Sequence, residues 1–307
     1  MMSRLIVPLM VLAIASQASA QLQPPVKIDV DLVLVNASVS DHKGRPVTGL
    51  DKSHFQVWED KVEQDIRYFS AEEIPVSLGI VFDISGSMRN KFSVSRDALL
   101  RFLQTGGPQD EYSLIEFSDR PQVTQDFTSD IKEFQNRIAF ASPNGYTALY
   151  DAVYLGIERL RHAHNRRKAL LLVTDGEDNH SHYSFNDVKE LAKEADVQLF
   201  AIGIPGYPGL QLGTSMIDPR KGNHVPGRDV LQELVDLAGG QAFFTRDFRE
   251  LDGICERISA NLRNEYVIGY APTNTMKDGK WRKLHLNVSE VSHVSVHARS
   301  GYYAPVQ

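Results

Sequence analysis

Eight residues, Val76-Ser-Leu-Gly-Ile-Val-Phe-Asp83, constrain this chain more than any other stretch. A continuous apolar run of this length, closed by a turn, reads as a strand buried on both faces of a parallel sheet. It ends in an acid and is followed at once by Ile84-Ser-Gly-Ser87. A helical pattern comes next, with Phe92, Leu99, Phe102 and Leu103 on one face. In an open α/β sheet, ligands bind beyond the carboxyl ends of the strands, where the strand order reverses. Asp83, Ser85 and Ser87 therefore stand where such a fold places its chemistry. An acid with two hydroxyls offers oxygen ligands suited to a hard cation such as Mg²⁺.

The pattern around this strand predicts the rest of the architecture. From Ile74-Pro75 onward, strands alternate with helices: Val76–Phe82, Tyr112–Phe117, a short Gln122–Gln125, Ala169–Thr174, Val197–Gly203 and Ala242–Phe244. Helical faces lie between and after them, at Leu149–Leu160, Phe185–Ala195 and Leu251–Leu262. Such alternation predicts a doubly wound, mostly parallel α/β sheet over 75–262. Only Ser118-Asp-Arg-Pro121 precedes the short strand, too few residues for a crossover, so that strand should run antiparallel at an edge. Before this unit, residues 26–72 read as short strands: Ile28, Val30, Leu32 and Leu34 form one apolar face, and Phe55–Trp58 and Asp65–Phe69 follow. After it, 263–304 returns to β patterning. Neither flank is large enough to bury a core alone. The expectation is one discontinuous β-sandwich carrying the α/β unit as an insert; two separate β flaps are the alternative.

Residues 1–20 read as a signal peptide: Arg4, an apolar Leu5–Ala15, then Ala18-Ser-Ala20 before Gln21. Its removal would take the formal net charge from −6 to −7, because Arg4 leaves with it. No later stretch approaches the roughly 18 apolar residues a spanning helix needs. The chain is thus expected to be exported, periplasmic or secreted, without a membrane anchor. An acidic balance without a basic stripe argues against nucleic acid as a partner. Cys255, the single cysteine, rules out an intrachain disulfide and reads as a small buried residue of a helical face. Residues 205–227 form a long Gly- and Pro-rich stretch leaving the same rim as Asp83, a candidate gate for whatever binds there.

Three separated pieces converge on that rim: Asp83-x-Ser85-x-Ser87, Thr147 after Asn144-Gly-Tyr146, and Asp175-Gly176 at the end of the Ala169–Thr174 strand. Two carboxylates would balance a divalent ion, with three hydroxyls as neutral donors. Taken singly, Ser85 and Thr147 suit helix N-caps and Asp175-Gly176 suits a strand-ending turn. Weaker candidates are His180 and His182 as a transition-metal pair, Asp178 at a second cation, and Asp151 as a brace. A hydrolase would need a base near the serines, and no motif places one there apart from the His180 pair. No G-x-G-x-x-G follows a strand, so dinucleotide binding has no support.

Asp83-Ile-Ser-Gly-Ser87, Thr147 and Thr174-Asp-Gly176 resemble the metal-ion-dependent adhesion site of von Willebrand factor type A domains, and the resemblance covers about 75–262. It implies a Rossmann-like fold of strand order 3-2-1-4-5-6. It further implies that Ser85, Ser87 and Thr147 coordinate the ion, with Asp83 and Asp175 acting directly or through water. The ion would be divalent, Mg²⁺ first and Mn²⁺ or Ca²⁺ otherwise, and a protein or peptide partner would supply a carboxylate. The flanks, including Asp41…Gly44-Arg-Pro-Val47 and Tyr266-Val-Ile-Gly-Tyr270…Arg299-Ser-Gly-Tyr-Tyr303, resemble a secreted bacterial branch of the family, common in Acidobacteria. Lys61 departs from the hairpin glycine expected after Glu59-Asp60. The function expected is a non-enzymatic binding module. The alternatives are an envelope component in which the metal only braces the rim and, remotely, a metal-assisted hydrolase.

Overall fold

The computed structural model describes residues 32–138, 141–204 and 227–306. The reading of a signal peptide at 1–20 lies outside them, as does the gate read at 205–227 except for its last residue, Gly227, which opens a helix. Four strands come first: β1 (Val33–Asp41), β2 (Phe55–Glu59), β3 (Val62–Gln64) and β4 (Ile66–Ser70). Then follow β5 (Val76–Asp83), α1 (Phe92–Leu103), β6 (Glu111–Phe117), β7 (Pro121–Thr128), α2 (Ile131–Ile138) and α3 (Leu149–Arg161). The α/β unit continues through β8 (Arg167–Thr174), α4 (Phe185–Glu194), β9 (Gln198–Gly203), α5 (Gly227–Ala238), β10 (Ala242–Phe244) and α6 (Leu251–Arg263). β11 (Glu265–Tyr270), β12 (Trp281–Val288), β13 (Val294–Ala298) and β14 (Gly301–Tyr303) complete the described elements.

Strands β5 to β10 form one sheet of order β10-β9-β8-β5-β6-β7. Counted within the sheet, this is 3-2-1-4-5-6. Every residue of β5 is buried, because helices cover both faces. Phe92, Leu99 and Phe102 of α1, Phe134 of α2 and Ile258 of α6 pack with Ile80 and Phe82 on one face. Leu149 and Ile157 of α3, Val188 of α4 and Leu234 of α5 pack with Val81 and Leu172 on the other. β5 runs parallel to both β6 and β8. The chain therefore leaves β5 for one side of the sheet and later returns on the other, which opens a crevice at the carboxyl ends of β5 and β8. β7 pairs antiparallel to β6 at the edge, as the short 118–121 connection requires.

The flanking strands form two four-stranded sheets, β13-β1-β11-β4 and β14-β12-β2-β3. Their facing side chains share one core that includes Val35, Val39, Phe55, Val57, Ile268 and Leu286. β4 and β11 are antiparallel neighbours, with Ser70 opposite Val267. The α/β unit thus leaves and re-enters the sandwich through adjacent strands. Two expectations need correction. Strand β1 turns Val35, Ala37 and Val39 inward and leaves Leu32 and Leu34 about 40 % exposed (41 % and 39 %), the opposite phase to the one expected. Its other face packs toward α6, so Ser38 and Ser40 are buried as well and the polar–apolar alternation is blurred. The strand expected at 65–69 is β4, but a further short strand not expected from the sequence, β3, precedes it: β3 pairs with β2 in one sheet, and after Asp65 the chain crosses to β11 in the other. The hairpin between β2 and β3 has Asp60 at φ 47° and Lys61 at φ 73°. Positive φ at both central residues is the type I′ pattern, so Lys61 occupies a position that glycine fills without strain. No helix among the described residues is long and apolar enough to cross a membrane.

Candidate metal centre

Asp83 ends β5 with its side chain fully buried. Its Oδ1 accepts the Ser85 amide at 2.8 Å, and its Oδ2 accepts the Thr174 hydroxyl from the end of β8 at 2.6 Å. That second bond ties the two central strands together at the mouth of the crevice. The Ser85 and Ser87 hydroxyls lie 3.0 Å apart; Ser85 is buried, while Ser87 faces solvent. Backbone bonds dock the third piece onto this loop: Asn144 N–H donates to the Ile84 carbonyl at 2.8 Å, and Gly86 N–H donates to the Gly145 carbonyl at 3.1 Å. Gly145 is held at φ 86°, and a Cβ there would meet the Asp119 carboxylate at 2.5 Å. A side chain at 145 would displace the Asp119 carboxylate, which accepts the Tyr146 amide. Thr147 itself is 3 % exposed, its amide donating to Asn179 and its carbonyl accepting the Asn179 and His180 amides. The loops bearing Asp83, Ser85, Ser87, Thr147 and Asp175 are thus joined at one end of the sheet.

Helix capping does not account for the hydroxyls. Ser85 precedes a single 3₁₀ turn, Gly86–Met88, and makes no side-chain cap bond to it. At α3 the cap position is Ala148, not Thr147. The first turn of α3 is served from another loop: Asp178 Oδ1 accepts the Tyr150 amide and the Ser181 hydroxyl accepts the Asp151 amide. Asp178 Oδ1 thus serves the first turn of α3. Asp151 braces the same loop by accepting the His182 and Tyr183 amides.

Burial, and behind it the charge of Asp175, pushes the Asp83 carboxyl up to about 6, against the pull of its bonds from Ser85 and Thr174. Two acids facing each other in a dry crevice disfavour their shared ionisation. A residue not anticipated from the sequence answers part of this. Lys91, just before α1, has a side chain 5 % exposed; its ammonium donates to the Ile204 carbonyl at 2.9 Å and lies 3.3 Å from Asp175 Oδ2. Its only signal was a charge next to the apolar face that Phe92 opens, which reads equally well as a solvated helix end. Asn179 was likewise visible only once β8 and its loop were in place.

The other candidates are drawn into different work. His180 stacks on Tyr146, with centroids 5.0 Å apart, and His182 Nδ1 lies 2.9 Å from Asp151 Oδ2. Among the described residues no group of three or more His, Cys, Asp or Glu side chains could hold a metal, so a metal at this rim depends on hydroxyl oxygens. Cys255 is buried, and burial raises its thiol to about 12, as expected of an inert core residue. A serine–histidine contact exists between Ser40 and His297 at 3.0 Å, but Ser40 is 1 % exposed within the sandwich.

The α/β unit is similar to known proteins. Residues 78–177 match the family model described as von Willebrand factor type A domain. Inter-alpha-trypsin inhibitor heavy chain H4 of Sus scrofa is 29 % identical over 156 residues, which is 45 % of this chain and 17 % of that protein. The corresponding Mus musculus heavy chain 4 is 29 % identical over 168 residues, 48 % of this chain and 18 % of that protein. The chain therefore spans less than a fifth of the length of these curated relatives. Among solved structures, proximal thread matrix protein 1 from the mussel byssus, described with a zinc-occupied MIDAS motif, has a TM-score of 0.49 and 20 % identity, covering 65 % of this chain and 48 % of its own. An aerotolerance-related membrane protein from Bacteroides fragilis has a TM-score of 0.48 and 18 % identity, covering 61 % and 98 %. The α/β unit has the von Willebrand factor type A fold.

Proposed function

We propose that this chain is an exported, non-enzymatic binding module that holds a divalent cation on Ser85, Ser87 and Thr147 and uses it to dock an acidic group of a protein or peptide. The observation that carries this reading is a set of hydroxyls, none spent on a helix cap, beside two acids at a switch-point crevice with Ser87 open to solvent. The donor set suits the ion: all-oxygen, neutral hydroxyls with nearby carboxylates, as Mg²⁺ prefers, with Mn²⁺ the closest substitute. Asp83 and Asp175 already accept bonds from Ser85, Thr174, Lys91 and Glu177. Their role is therefore to supply negative charge and to orient the loops and any water held there. A bound cation supplies the positive charge that an incoming carboxylate needs. Tyr146, 62 % exposed and stacked on His180 beside Thr147, gives the partner a surface to pack on.

The bracing alternative is less favoured, because the loops are already joined by backbone bonds that need no ion. Calorimetric titration of the purified protein and of Asp83→Ala with Mg²⁺ and Mn²⁺ tests the proposal. Saturable binding in the wild type, abolished in the variant, is expected. Equal heats in both proteins would overturn it.

A further inference from the structure

The crevice contains a fixed positive charge of its own, and that charge has a consequence for how an ion and a partner bind. Asp83 and Asp175 would together neutralise a divalent cation. Lys91, however, places its ammonium 3.3 Å from Asp175 Oδ2 and is fastened there by the Ile204 carbonyl at 2.9 Å. With a side chain 5 % exposed, it is poorly screened by water. Asp119 and Asp178 accept the Tyr146 and Tyr150 amides, and the acid that Lys91 touches is Asp175. Loading the crevice with a divalent ion therefore leaves one positive charge in excess. An anionic group from outside removes that excess.

We propose that Lys91 makes cation binding conditional on an acidic ligand: it weakens the cation on its own and couples cation and carboxylate binding positively. The inference rests on the metal reading above and names its regulation. Without the ion, the ammonium offsets part of the repulsion between the two acids, so the empty crevice is tolerated. With the ion, the ammonium becomes a like-charge neighbour. A cationic group this close to a carboxylate typically weakens that carboxylate's hold on a proton by about 1–3 pK units, and the same competition against a metal cation predicts an affinity effect of about tenfold or more. Coupling of this kind is reciprocal, so the carboxylate must bind the loaded form more tightly by the same factor that it tightens the ion.

The test is a Mn²⁺ titration of the wild type, Lys91→Gln and Lys91→Arg, each in sodium acetate and in sodium chloride at matched ionic strength. Glutamine removes the charge while keeping an N–H donor, one bond shorter, and Lys91→Arg keeps the charge while changing the packing, so the pair separates loss of packing from loss of charge. Lys91→Gln is expected to bind Mn²⁺ about tenfold tighter than the wild type in chloride, and to gain less from acetate. Lys91→Arg, which keeps the charge, is expected to stay within about threefold of the wild type. If Lys91→Gln proves unstable, Lys91→Met serves the same comparison. Equal affinities in the wild type and the charge-removing variant would overturn the inference and leave the metal site standing. Absence of Mn²⁺ binding in every protein would overturn both.

Discussion

Arg167 and Glu265 form an ion pair at the junction between the α/β unit and the sandwich, with side chains 1 % and 0 % exposed and 2.9 Å between Nε and Oε2. Arg167 opens β8, donates to the Leu262 carbonyl at the end of α6, and reaches the first residue of β11. At an effective dielectric constant of about 20, unit charges at this distance attract by about 6 kcal/mol. Desolvation opposes that gain, so removing one partner is the informative perturbation, with an expected cost of about 3–5 kcal/mol. The two removals should differ in their pH dependence. Burial raises the Glu265 carboxyl from an ordinary 4.5 to about 7, with Arg167 opposing the rise. In Arg167→Met that opposition is gone, and the carboxyl rises further. The folded variant then binds a proton that the unfolded chain lacks at pH values above 4.5. Its stability must therefore increase as pH falls toward 4.5, by up to about 1.4 kcal/mol per unit. In Glu265→Gln that titration is absent and the stranded guanidinium cannot shed its proton, so this variant's own stability stays flat across the range, while the wild type's rises as pH falls below about 7. Urea unfolding of both variants from pH 5 to 8, at unchanged denaturant slope, measures this. A cost below about 1 kcal/mol in both, or identical pH profiles, would show that the pair does not carry the junction.

Lys61→Gly should raise stability by about 1 kcal/mol, because Lys61 sits at φ 73° in the hairpin between β2 and β3; thermal unfolding checks it, and a destabilised variant would refute the turn assignment. Because the Asp83 carboxyl is raised from 3.8 to about 6, the metal-free protein gains stability as pH falls through 6 toward 3.8, while a cation must displace that proton. Mn²⁺ affinity should accordingly drop by up to tenfold per unit below about pH 6, and a flat profile between pH 5 and 7.5 would contradict the site's electrostatics.

Much of the α/β unit was legible because its signals are local and strong. β5 and β8 are uninterrupted apolar runs, and an acid at the end of each marks the crevice. The sandwich was harder. β1 is buried on both faces from Ala37 to Ser40, so its pattern does not report which face meets the core. β3 is only three residues long and carries no alternation to read, and β4 pairs not with its sequence neighbour but with β11, some two hundred positions away. At the metal centre the hydroxyls and acids stand in short motifs, whereas Lys91 joins them only through the tertiary packing of α1 against the ends of β8 and β9. Long-range charge placement leaves no periodic trace in a sequence.

Anomalous scattering from crystals grown or soaked in Mn²⁺ tests the central claim most directly. The account predicts a single strong peak at the carboxyl ends of β5 and β8, with the Ser85, Ser87 and Thr147 hydroxyls among its ligands and Asp83 and Asp175 adjacent. A peak held by His180 and His182, or no peak at millimolar Mn²⁺ with acetate present, would contradict it.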